Sequence, residues 1–328
     1  MPSYRAFIRL LLLTGWLSTL AAVAVVQLLG DRSAIGTLAM FAPRHLTPLP
    51  WLPVIALALF ASWRLALLGV AGLLATLVGV SGFVAPRAVG ASTGDGLRVV
   101  TYNTDDSYEL AGRLAGDVRA WDADVIAMID CTRPVLEAAA RIPHYTVTRA
   151  PFACLLTRVP VLRHVYMPPA VGQRLQQLGA SRSGRVHRVD LDVRGDEVSV
   201  YVVHLETPRD ALWAARNFDL SKLALNADLR SADSKLASTV VDRSSPNLLV
   251  LGDFNLTVES AIYRRDWGDL ANAFSSTGGG FGHTMFAGRH RVRIDHVLTG
   301  PAWRPVRARV LRGYPSEHQP VVVDLERR

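Results

Sequence analysis

The sequence predicts an α/β domain preceded by N-terminal transmembrane helices, and three observations carry that expectation. The first 90 residues are strongly apolar, the chain from about residue 96 alternates short apolar strands with helical stretches, and small polar residues recur where those strands end. With 328 residues the chain also exceeds one ordinary domain. The predicted division is a membrane anchor over residues 1–90 and a soluble domain over residues 91–328.

Charge follows the same division. Residues 1–90 hold six arginines (5, 9, 32, 44, 64 and 87), no lysine and a single acid, Asp31. They therefore carry +5 of the chain's +8, leaving +3 for the soluble part. That balance is only mildly basic, so the high pI is weak support for nucleic-acid binding.

Residues 7–29, FIRLLLLTGWLSTLAAVAVVQLL, are long enough to cross a bilayer, which takes about 20 apolar residues. A cleaved signal peptide with Arg5 and Arg9 as its basic flank is the competing reading. Against it, the apolar sequence resumes after residue 47 and is interrupted only by Arg64, giving two further spans, 47–63 and 65–85, turned at Ser62-Trp63-Arg64. Three spans put the large domain across the membrane from the N-terminus. The expectation is a multi-pass cell-membrane protein with an extracytoplasmic catalytic domain, although three arginines on each side leave almost no positive-inside bias. Three spans without an intramembrane acid or inverted repeat offer no transport pathway.

Strands are predicted at 97–104, 124–130, 153–158, 185–193, 197–206, 247–255, 292–300 and 319–326. A single long helix is expected over 208–240, with Thr207 as N-cap and Pro208 at the first helical position. The stretch SSTGGGFGHT (275–284) is too glycine-rich for regular structure and reads as a flexible surface loop, with His283 a possible substrate contact. Cys131 and Cys154 lack metal-type spacing and read as two small core residues; nothing in the sequence alone brings them together. The arginines of SRSGRVHR (182, 185 and 188) read as a solvated strand face. His144, His187 and His296 receive no role.

The polar residues at strand ends are Asn103, Asp130, His204, Asp253, Asn255, Asp295 and the pair Glu317-His318. One such residue is more often a satisfied core or capping group. A whole set restricted to Asn, Asp, Glu and His supplies the hard oxygen and imidazole donors of a metal-assisted hydrolytic site.

In the order TYNT, ADVIAMID, VVHLE, VLGDFNLT, RIDHVL and SEHQPVVVDL, the chain over about residues 96–327 resembles the endonuclease/exonuclease/phosphatase superfamily. Within it the chain looks most like membrane-anchored bacterial members. The resemblance implies a four-layer α/β sandwich, two packed β-sheets flanked by helices, and hydrolysis of a phosphodiester or phosphomonoester by water with Mg2+ or Mn2+. It implies metal ligation by Asp130 and Glu317, with Asn103 supporting the metal–phosphate geometry. Asp253 would orient or deprotonate water and Asn255 would donate to a phosphate oxygen. His318, its tautomer set by Asp295, would hold the phosphate or transfer a proton, and His204 would act near the leaving oxygen. Most relatives carry Glu at the position of Asp130 and Asp at that of Glu317; we read the exchange as a compensated swap of side-chain lengths. The expected partners are a membrane and a phosphate-ester substrate, a phospholipid or a nucleic acid. The second function expected is a non-catalytic membrane receptor or scaffold that binds a phosphorylated ligand in a degenerate metal site.

Overall fold

Two six-stranded sheets lie face to face. One runs in the order β13 (Trp303–Val310), β14 (Val321–Arg327), β1 (Gly96–Asn103), β2 (Val125–Ile129), β4 (Ala153–Thr157) and β3 (Thr146–Ala150). The other runs β5 (Val161–Tyr166), β6 (Arg185–Val193), β7 (Asp196–His204), β8 (Leu248–Asp253), β12 (Asp295–Thr299) and β9 (Ala271–Asn272), and a separate hairpin joins β10 (Met285–Ala287) to β11 (His290–Val292). The computed structural model describes residues 2–87, 96–166, 173, 177 and 185–328, apart from 218 and 289; the predicted boundary at residue 90 and Arg182 fall outside them.

The inner faces share one core, in which Val99, Ala127, Ile129 and Leu155 of the first sheet meet Val200, Val202, Leu249 and Leu251 of the second. Helices Leu110–Trp121 and Arg133–Ala139 cover the outside of the first sheet, and helices Leu220–Val240 and Ala261–Trp267 cover the second. This is the four-layer α/β sandwich expected. Central strands such as β2 and β8 are buried along their whole length, which explains their near-continuous apolar sequence.

The short and polar strands were the ones sequence patterning did not mark. In β13, WRPVRARV, the arginines at 304, 307 and 309 point outward from an edge strand and dilute its hydrophobicity. The helix expected over 208–240 is broken. It forms as Arg209–Ala215 and resumes at Leu220, and Pro208 is its N-cap rather than its first turn. Asp219 accepts a hydrogen bond from Ser221 Oγ (2.6 Å), a local side-chain contact that competes with helix continuation.

Cys131 and Cys154 form a disulfide, which corrects the reading of two separate core residues. The antiparallel register of β2 and β4 sets Met128 opposite Cys154, and the turn at Asp130 brings Cys131 back to within 5.9 Å between Cα atoms. Asp130 makes that turn in the left-handed region (φ 51°), a conformation that aspartate tolerates better than most residues.

In the N-terminal part, the helical stretches Ser3–Arg32 and Arg44–Ala61 are long and apolar enough to cross a membrane, and Trp63–Gly79 is apolar but shorter. Leu10, Leu13, Leu17 and Phe60 stand exposed along them, unlike the side chains of a buried core helix. The turn falls at Ser62, whose side chain accepts from Arg64 N.

The linkers between these helices are built into the sandwich. Asp31, the lone acid of the first 90 residues, is buried. Its carboxylate accepts from Ser260 Oγ (2.6 Å) and from the Ala261 and Ile262 amides (3.1 and 3.4 Å), capping helix Ala261–Trp267. It also pairs with the buried Arg230 at 3.3 Å. Arg44 donates to Val80 O (3.0 Å) and to Glu259 (3.1 Å). The glycine-rich loop is fastened to the same segment rather than free: Gly280 pairs with Val84, and Phe281 packs edge-on against Phe83. His283 stacks on Phe281 within this junction, and burial, with His45 and nearby arginines, lowers its pKa to about 3.

Glu259 makes the junction pH-sensitive. Burial alone would raise its pKa, but Arg44 and Arg293 hold it at about 2, below an ordinary value of 4.5. A folded-state pKa below the unfolded one stabilises the fold above pH 4.5, and the contribution is lost as pH falls towards 2. Its size is on the order of 3 kcal/mol. Glu259→Gln should therefore lower the melting temperature at about pH 6, with the gap to wild type closing by about pH 2. A gap that does not change with pH would refute the assignment.

Candidate active site

Each sheet contributes one parallel strand pair, and both pairs end in polar residues. Register sets Asn103 beside Ile129, the residue before Asp130, and sets His204 beside Asp253. Antiparallel β12 begins with Asp295 opposite Asp253. Gly252 is required just before Asp253: its φ is 148°, and a Cβ there would lie 2.0 Å from Val203 O. Close approach of β8 to β7 therefore sets where Asp253 emerges.

The side chains form an alternating row of acids and imidazoles. Asp130 Oδ1 lies 3.4 Å from His204 Nδ1, and His204 Nε2 lies 3.9 Å from Asp253 Oδ2. His318 Nε2 is also 3.9 Å from that Asp253 oxygen, and His318 Nδ1 is hydrogen-bonded to Asp295 Oδ2 at 2.9 Å. All five are buried. Asn103 Nδ2 donates to Asp253 Oδ2 (2.9 Å), and its Oδ1 accepts from the Asp105 amide (2.9 Å). Asn255, in the left-handed region (φ 49°), donates its amide to Asp253 Oδ1 (2.9 Å) and its Nδ2 to Leu205 O (2.9 Å).

These contacts shape the electrostatics. Burial and the Asp295 carboxylate push Asp253 up to about 6, against the pull of His318 and His204. Burial would lower His318, but Asp295 and Asp253 raise it to about 9, so at neutral pH it is an imidazolium paired to Asp295. Asp253, Asp295 and His318 bring donor atoms within 4.8 Å of one another, and Asp295 Oδ1 is buried without a hydrogen-bond partner. While His318 is protonated, the carboxylates of the cluster, with Asp130 beside His204, are the groups a hard divalent cation would meet.

Seven of the eight sequence-predicted residues thus converge, and Glu317 stands apart. Its side chain is 46% exposed and pairs with Arg209 Nη2 at 3.1 Å. Arg209 Nη1 also lies 3.7 Å from Asp105.

Sequence reasoning missed Asp105, Arg209, Arg185 and the role of Ser316. Arg209 had a signal, since a cation at the first residue of a helix opposes the dipole. Two successive acids after Asn103-Thr104 were another. Arg185, read as part of a solvated face, sets its guanidinium 3.8 Å from Asp130. Ser316 donates to Asn103 O (2.9 Å) and accepts from His318 N (3.0 Å), tying the last turn to the end of β1. His296 and His187 are core histidines, both lowered to about 4, chiefly by burial. His296 contacts Leu256 O at 2.8 Å and packs between Phe254 and Tyr263.

No curated protein sequence matches the chain. Among solved structures, D. rerio TDP2 complexed with a single-strand DNA product superposes with a TM-score of 0.54 at 13% identity, covering 70% of this chain and 99% of that one. Truncated Caenorhabditis elegans TDP2 gives 0.52 at 16% identity, covering 70% and 97%. A functionally unknown conserved protein from Enterococcus faecalis V583 gives 0.51 at 11% identity, covering 71% and 100%. At such identities these likenesses speak for the fold alone. Residues 100–318, more than half of the chain, match the sequence profile described as the Endonuclease/Exonuclease/phosphatase family, and the chain belongs to that family of metal-dependent phosphoesterases and nucleases.

Proposed function

We propose that the chain is a membrane-tethered, divalent-metal-dependent phosphoesterase that hydrolyses a phosphodiester or phosphomonoester with water. The observation that carries this reading is the buried row Asp130, His204, Asp253, His318 and Asp295 at the ends of both sheets. Asp130 and Glu317, with Asn103, form the proposed holding set for Mg2+ or Mn2+. A bound ion supplies charge neutralisation at the phosphate. Arg209, now on Glu317, would have to turn away.

The remaining groups divide the proton work. Asp253 accepts a proton from the attacking water as its oxygen bonds to phosphorus. His318, braced by Asp295, donates to a phosphate oxygen, and Asn255 offers its second amide hydrogen. As the ester P–O bond breaks, His204 gives a proton to the leaving oxygen.

The apolar helices support a multi-pass anchor over residues 1–90 with the catalytic domain in 91–328. The disulfide supports an extracytoplasmic position for that domain, because disulfides persist in oxidising compartments. The single-strand DNA product in the D. rerio TDP2 structure keeps nucleic acid beside phospholipids as a substrate class for this reading.

The test uses the full chain in lipid nanodiscs with bis-p-nitrophenyl phosphate. Turnover should appear with Mg2+ or Mn2+, vanish with a chelator and return when the ion is restored. No turnover with any ion, together with binding of inorganic phosphate, would favour the non-catalytic receptor instead.

A further inference from the structure

We propose that the groove running from His318 to the segment after the first membrane helix is a lipid-chain subsite, seating the hydrocarbon tail of a membrane lipid whose phosphate ester reaches the catalytic cluster. The inference rests on the phosphoesterase reading for the scissile group and adds the substrate class.

The groove has a volume of about 820 Å³, within the size of small-molecule sites. One end is polar and carries Asn255, Glu317 and His318. The rest is walled by Leu38 and Phe41 of the N-terminal segment, Leu212 and Trp213 of helix Arg209–Ala215, and Met285 and Ile294 from the hairpin region. A hydrophilic phosphate ester would gain nothing from such walls, whereas burying a tail there is favourable at every methylene.

Three features choose a membrane lipid as the occupant. The floor of the groove is a cluster in which Val26 and Val80 pack with Phe41, Val292 and Ile294. Val80 directly follows the apolar helix Trp63–Gly79 and Val26 comes two residues after Pro2–Ala24, so the groove is built against the base of those helices. Trp213 is exposed on the rim with the Arg216 guanidinium 4.2 Å over its ring, an aromatic–cation pair suited to a membrane–water interface. Arg216 places a positive charge on that rim, where the phosphate of a lipid headgroup would lie. A nucleic-acid strand would call for successive stacking platforms along a basic track, whereas here the aromatic and basic groups Trp213, Arg209 and Arg216 sit together on one helix and the opposite walls are apolar.

The buried salt links at Asp31 and Arg44 hold the wall in place, because Leu38 and Phe41 lie between them in the chain.

Two measurements on the full chain in nanodiscs test the proposal. In the first, phosphatidylcholine carrying a diazirine in its acyl chain is photolysed and the cross-links are mapped by mass spectrometry. Cross-links within residues 38–43, 207–216 and 285–294 are expected; labelling confined to the outer faces of the three apolar helices would overturn the subsite. This readout needs no turnover, so it stands even if the phosphoesterase reading fails. In the second, hydrolysis of dodecyl p-nitrophenyl phosphate is compared with that of the ethyl ester. The ratio of kcat/KM should favour dodecyl by at least about ten-fold, since burying two methylenes already suffices for that. Leu212→Glu should collapse the ratio towards one. A wild-type ratio near one, or better turnover of a single-stranded oligonucleotide than of the dodecyl ester, would overturn the proposal while leaving the enzyme reading intact.

Discussion

Replacing His318 by alanine is expected to lower metal-dependent kcat/KM on bis-p-nitrophenyl phosphate by about three to four orders of magnitude. The size follows from what the imidazole touches. Its Nδ1 is hydrogen-bonded to Asp295 (2.9 Å), and its Nε2 faces Asp253 across 3.9 Å, the gap into which a phosphate oxygen or the attacking water would come. Alanine removes the donor and also leaves Asp295 with both carboxylate oxygens unpaired, because Oδ1 already lacks a partner. Asp295→Asn should cost less, about 10- to 100-fold, since the ring stays but loses the anion that orients it. The double variant should be little worse than His318→Ala alone, as the pair acts as one unit. Equal activity of wild type and His318→Ala, with the melting temperature unchanged, would remove His318 from the mechanism.

The site was legible because catalytic residues at strand ends leave a local signature. Asn103, His204 and Asp253 each close an apolar run, and the runs themselves follow from burial on both faces. What stayed hidden depends on contacts between distant parts of the chain. The Cys131–Cys154 disulfide needs the β2–β4 register, which no spacing reveals. Arg185 approaches Asp130 from another sheet. Asp31 entered the sequence reading only as the single acid of the first 90 residues, and its partners lie some 200 residues away in sequence. The 46% exposure of Glu317 was equally unreadable, because its neighbour in SEHQ is fully engaged while Glu317 turns to Arg209. Motifs identify positions; side-chain direction at a turn is set by the tertiary partner.

Asp31 carries the second large expected effect, on stability rather than turnover. Asp31→Ala should destabilise the full chain by about 3–5 kcal/mol, the cost of leaving a buried charge without its counterion. Arg230 is enclosed, and burial already works against its charge while Asp31 sustains it. Its other hydrogen-bond acceptors, Asn226 Oδ1 (3.1 Å) and Thr37 Oγ1 (3.1 Å), are neutral, and the Glu206 carboxylate adds a weaker attraction. The same substitution strips the acceptor from Ser260 and from two amides at the start of helix Ala261–Trp267. The melting temperature in one fixed nanodisc composition should fall by on the order of 10 °C. Asp31→Asn should be intermediate, since it keeps an acceptor for the amides and loses the charge. Pairing Asp31→Asn with Arg230→Met should recover much of the loss, because an apolar replacement of both partners removes the stranded charge. A fragment beginning at residue 91 should resemble Asp31→Ala, for it discards Asp31 and keeps Arg230. If that fragment melts as high as the full chain, the N-terminal segment adds nothing to the stability of the sandwich; if it melts lower and Arg230→Met restores it, the N-terminal segment is a structural part of the sandwich.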